Sequence, residues 1–120
     1  MLQVEYLISQ YDKGQEAGFT SAYSVFVIMR HLVSSKNSDF YISKNEENLI
    51  HNFASSVADD EEASDDLKLC EKLIEIYRLL DDSSNVKKVF EHIIRDIGSR
   101  YYNLRESSLI TPDAFFSVYR

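Results

Sequence analysis

A chain of 120 residues has the length of one domain and can bury about two thirds of the surface its unfolded form exposes, so it needs no metal or disulfide to fold. Three Gly and one Pro are too few for the tight turns of a β-sandwich or barrel and suit a helical bundle. Cys70 is the single cysteine, which excludes an internal disulfide, and the formal net charge of −7 disfavours nucleic acid, whose phosphates require clustered Lys and Arg.

The N-terminus, Met1 to Gly14, has no basic n-region and no long apolar core, so it does not read as a signal peptide. Val4, Leu7, Ile8 and Tyr11 recur at helical spacing and predict a helix over 2–13, with Gly14 and Gly18 bracketing a turn. Thr20 or Ser21 can cap a second helix running to about Ser35. That helix is apolar nearly all round, as the centre of a bundle requires, although its β-branched run Val25–Ile28 would also suit a strand. The longest apolar run, Val25 to Met29, is five residues, far short of the roughly 20 that span a bilayer. These features predict a cytoplasmic protein without membrane insertion.

Lys36–Asp39 reads as loop and Phe40–Ser43 as extended chain. Ser43 or Asn45 can cap a third helix carrying Leu49, Ile50, Phe53 and Val57. Acids Asp59–Glu62 interrupt it, and Ser64 is the expected cap of a fourth helix whose first turn holds Asp65 and Asp66, where the helix dipole favours negative charge. Its apolar stripe is Leu67, Cys70, Leu73, Ile74, Tyr77 and Leu80. After a polar turn at Asp81–Asn85 comes the cleanest periodicity in the chain: Val86, Val89, Phe90, Ile93, Ile94, Ile97 and Tyr101. Thr111-Pro112-Asp113 is a start signal for a last helix over 112–119. The expectation is therefore an all-α, antiparallel bundle of five to six helices in one domain, a four-helix core over 46–120 with extra N-terminal helices in 1–45. Its core should contain Leu7, Phe26, Leu32, Phe53, Leu73, Tyr77, Phe90, Ile94 and Ile97.

The charge is unevenly placed. Residues 46–66 hold eight acids and no Lys or Arg, whereas 1–45 are balanced. The acids read best as a solvated loop and helix-start charge. A calcium loop would want alternating ligands and a central Gly, which this stretch lacks. His31, His51 and His92 stand singly; His51 has a carboxylate, Glu47, four residues back on its own face, half a metal site at best. No Gly-x-Ser-x-Gly elbow or phosphate-cradling glycine loop occurs. Cys70 lies in an apolar pattern with no His near it in sequence. No catalytic residue, metal ligand or cofactor site is expected, and the protein reads as a binding protein rather than an enzyme.

The distinctive end is the C-terminal one. Tyr101 and Tyr102 are adjacent, as are Phe115 and Phe116, so neither pair can share one buried face. Arg95, Arg100, Arg105 and Arg120 lie among them, and exposed aromatics beside Arg have the composition of a docking surface. The bland alternative is that the second ring of each pair packs under the preceding loop.

From about Leu49 to Tyr119 the chain resembles the small helical immunity proteins that protect lactic acid bacteria from pediocin-like (class IIa) bacteriocins, the enterocin A immunity type. The resemblance rests on an opening helix similar to Leu49–Val57, an acidic break, and a Leu-rich helix similar to Leu67–Leu80. It continues through the Val86-x-x-Val89-Phe90-x-x-Ile93-Ile94-x-x-Ile97 helix running into tyrosines, then a polar loop, a Pro and the closing Ile110-Thr-Pro112-Asp-Ala-Phe115-Phe116-Ser-Val118-Tyr119. Residues 1–45 lie outside it. The resemblance implies a four-helix antiparallel bundle in the cytosol of a Gram-positive bacterium. It would act at the inner membrane face on a sugar-transporter receptor that the bacteriocin otherwise holds open, with specificity in the C-terminal half. Together with the aromatic pairs it singles out Tyr102, Asn103, Arg105, Phe116, Tyr119 and Arg120 as partner-binding residues. A different binding role, an acidic bundle that plugs a basic toxin or nucleic-acid-binding protein with 46–66 as its face, is the alternative.

Overall fold

The computed structural model describes residues 4–34, 42–59 and 65–102, without the side chains of Ser34, Tyr101 and Tyr102. Among these the regular structure is entirely helical: α1 (Val4–Glu16), α2 (Ser21–Ser34), α3 (Lys44–Ala58), α4 (Asp66–Leu79) and α5 (Asn85–Tyr102). The sixth expected helix, 112–119, lies outside the described residues. Each helix packs on the next and α5 returns to α1, so the five form a closed ring, with α2 and α4 also in contact across it. Successive helices alternate in direction, which leaves α1 and α5 running the same way. Both the Tyr11–Asp96 and the Gln15–Arg100 hydrogen bonds span 85 residues, and this constant offset is what parallel neighbours give.

The helix ends follow local chemistry. α1 runs past Gly14, which sits within the helix instead of opening a turn. It ends at Gly18, whose φ of 86° is left-handed. Gly18 N–H donates to Gln15 O and Phe19 N–H to Gly14 O, a Schellman closure that satisfies two terminal carbonyls. Thr20 Oγ1 accepts from Tyr23 N–H at the start of α2. Ser43, extended at φ −70° and ψ 162°, caps α3 by accepting from Glu46 N–H. The cap of α4 is Asp65, whose carboxylate accepts from Leu67 and Lys68 N–H. The start thus falls one residue later than the sequence suggested, because a carboxylate there serves as both cap and dipole partner. Ser84 caps α5 through Lys87 N–H and donates to Glu46 Oε2 at 2.7 Å, tying the starts of α3 and α5 together.

The core is one cluster drawn from all five helices. The most completely buried stripe belongs to α5, where Val86, Val89, Phe90, Ile93, Ile94 and Ile97 are fully enclosed. Seven of the nine expected core residues are buried. Phe26 and Tyr77 are only half-buried against the cluster. Phe26 faces the groove between α2 and α3, and Tyr77 turns its hydroxyl to Glu91 and its ring under the Lys87 ammonium. Leu69 and Ile76 fill positions on α4 that the expected stripe omitted. The run Val25–Ile28 is helical, so a strand there is ruled out within α2. Bounded by α1, α3 and α4, that helix keeps an outward strip on which Tyr23 is 52% exposed.

Candidate functional site

A cluster of polar side chains from four helices forms at the C-terminal end of α5. The Arg100 guanidinium sits within reach of three other helices. Its Nη1 donates to Gln15 Oε1 at 3.1 Å and lies 3.6 Å from Asp66 Oδ2. Its Nη2 donates to Ser21 Oγ at 2.8 Å and Tyr11 Oη at 3.3 Å, and lies 3.2 Å from Asp96 Oδ2 one turn back on α5. Tyr11 Oη donates in turn to Asp96 Oδ2 at 2.7 Å. One turn nearer the start of α5, His92 Nε2 meets Asp12 Oδ1 at 2.9 Å and its ring stands edge-on to Tyr11. Gln15 Nε2 closes the group by donating to Ser24 Oγ.

This cluster is built from helix ends. Gln15 is in the last turn of α1, Ser21 opens α2, Asp66 opens α4 and Arg100 is in the last turn of α5. Placing a cation where α5 ends and an acid where α4 begins suits both helix dipoles. The Tyr11 ring is fully enclosed, and burial, followed by the bond to Asp96, holds its hydroxyl well above the ordinary tyrosine value. It is therefore a fixed donor to Asp96 at any physiological pH. No buried side-chain nitrogen or oxygen among the described residues lacks a partner.

The expected partner-binding residues follow this point in the sequence. Tyr102 is the last residue of α5, while Asn103, Arg105, Phe116, Tyr119 and Arg120 lie outside the described residues. Two of the arginines read as docking bases are engaged inside the molecule instead: Arg95 pairs with Glu91, and Arg100 is the hub described above. Tyr11, Asp96, Gln15 and Ser21 were not singled out from sequence, because their partners stand 79 to 89 residues away. The only local signal was Asp96 at i−4 to Arg100.

The other candidates resolve individually. Cys70 is fully enclosed, and burial, then the nearby Asp66 and Glu71 charges, push its thiol up to about 12. A thiol held protonated at neutral pH is a poor nucleophile. Glu47 and His51 do pair across one turn at 3.7 Å. Among the described residues, no group of three His, Cys, Asp or Glu stands close enough to hold a metal ion, and no helix is long and apolar enough to cross a membrane. Of the five described acids in 46–66, four act within the chain: Glu46 with Ser43 and Ser84, Glu47 with His51, Asp65 as a cap and Asp66 with Arg100. Exposed aromatics occur where the sequence did not flag them. Phe19 and Tyr23 are each about half exposed and stack edge-to-face, centroids 5.1 Å apart, beside a groove of about 290 Å³ between α1 and α2. Compared with known proteins, the chain matches no family model, no curated protein and no solved structure.

Proposed function

We propose that this chain is a non-enzymatic binding protein, a cytosolic immunity protein that protects a bacterium from a class IIa bacteriocin by engaging the bacteriocin-bound sugar-transporter receptor. The end of α5 and residues 103–120 form its docking surface. The observation that carries this reading is the order and character of α3, α4 and α5. An opening helix, a Leu-rich helix and a longer Val/Ile helix running into Tyr101-Tyr102 follow one another in the order that the resemblance implies for its first three helices. A second support is that the cleanest stripe in that pattern, on α5, is spent wholly on the core. On this reading recognition falls to the residues after it. The competing acidic-face reading draws less support, since most described acids of 46–66 already have partners inside the chain.

The test is an exchange. Residues 103–120 are replaced by the equivalent segment of an established class IIa immunity protein, and the chimera is expressed in a sensitive host. The spectrum of protection should follow the exchanged segment while the helical signal is unchanged. Protection that follows residues 1–66 instead would transfer the docking role to the acidic stretch. Binding that weakens steeply with salt would point the same way, because charge-driven association is screened within about 10 Å at 0.1 M salt.

A further inference from the structure

We propose that the α1–α2 hairpin is a clamp on the end of α5, with Arg100 as its positioning residue, so that α1 and α2 fix the last turn of α5 that precedes residues 103–120 in the chain. The functional half of this inference rests on the reading above; the structural half does not.

The polar contacts between the hairpin and α5 run from the middle of that helix to its last turn. His92, Asp96 and Arg100 are successive residues of one i, i+4 row, and they meet Asp12, Tyr11 and the Gln15–Ser21 pair respectively. Gln15 and Ser21 flank the α1–α2 turn, so the two sides of the hairpin's tip grip one guanidinium. The start of α5 is tied elsewhere, by the bond of its cap Ser84 to Glu46. The hairpin therefore acts on the α5 end, directly before Tyr101 and Tyr102.

Arg is required for this by shape. Its planar fork offers donors in fixed directions, and here Nη1 serves Gln15 and Asp66 while Nη2 serves Ser21, Tyr11 and Asp96. A Lys ammonium is a single point on a flexible stem and cannot reach both sets at once. Arg100 is 42% exposed, so replacing it leaves no cavity and the bundle stays folded.

Arg100→Gln and Arg100→Lys are compared with the intact chain by amide hydrogen exchange and by protection in a sensitive host. Losing charge-assisted hydrogen bonds at a helix end should speed exchange of the Ile97–Arg100 amides about tenfold or more in both variants, while Val89–Ile94 are unchanged. Protection should fall with it. Exchange that stays at the wild-type rate in Arg100→Gln overturns the clamp, and exchange restored by Arg100→Lys overturns the argument from the fork. Loosened amides with full protection overturn the positioning role. If the intact chain protects against nothing, the immunity reading fails, and the exchange rates alone still decide the clamp.

Discussion

Replacing Gly14 by Ala should destabilise this protein, although the same change in the middle of an exposed helix is favourable. Gly14 is buried at the α1–α2 crossing, and a Cβ added there would lie 2.5 Å from Ser24 Oγ, with Ser24 Cβ and Phe19 Cδ2 at 3.4 Å. Helix propensity contributes about 1 kcal/mol in favour of Ala. Against it, forcing a methyl into a filled crossing costs roughly 1–3 kcal/mol. Turning Ser24 aside also gives up the bond it accepts from Gln15, a further loss of about 0.5–1.5 kcal/mol. The opposing terms win, and Gly14→Ala should lower stability by about 1–2 kcal/mol. The argument makes a sharper claim in a second background. Ser24→Ala removes the one atom inside contact distance, and the remaining neighbours at 3.4 Å are in ordinary contact. There Gly14→Ala should stabilise by about 0.5–1 kcal/mol. Urea unfolding of the four proteins, followed by circular dichroism at 222 nm, gives the cycle directly. The same sign for Gly14→Ala in both backgrounds would refute the reasoning, because it would mean that the helices separate freely or that Ser24 is not what they meet.

Ile94→Ala, which removes a fully enclosed side chain from α5, should cost about 2–5 kcal/mol in the same assay; a loss under about 1 kcal/mol would place Ile94 outside the core. Asp65→Ala should cost about 0.5–2 kcal/mol by leaving the Leu67 and Lys68 N–H groups without their cap, and Asp65→Asn should recover most of it. Cys70 should react with a thiol reagent far more slowly in native protein than in urea. Its folded value of about 12 lies above the ordinary thiol value of about 9, so its contribution to stability is complete below about pH 9 and is lost as pH rises from there toward 12. Alkaline unfolding should therefore begin in that window, and Cys70→Ala should flatten the slope; Tyr11, raised by the same cause, steepens it at its upper end.

What the sequence made legible was whatever depends on residues close in the chain. The α5 period of Val86 to Ile97 needed only neighbours three and four apart, and every member is buried. The caps at Thr20 and Ser43 were likewise local, and the cap of α4 missed by a single residue because Ser64 and Asp65 are both good caps. The misses depend on which elements meet. Gly14 looked like a turn residue because nothing local shows that Ser24 presses on it. Helix α2 is apolar nearly all round and meets three helices, yet it keeps an exposed strip at Tyr23 that its sequence did not show. Arg100 read as a free docking base because its partners on α1 and α2 lie at least 79 residues away. A residue's local type could not distinguish a clamp from a recognition surface.

The central claim is tested most directly by expressing the intact chain in a host sensitive to class IIa bacteriocins and measuring survival against a panel of those peptides. The account predicts that at least one member of the panel is blocked, with the inhibitory concentration raised about tenfold or more over the empty vector. Sensitivity equal to the empty vector across the whole panel, with the protein present and folded in the cytosol, would contradict it.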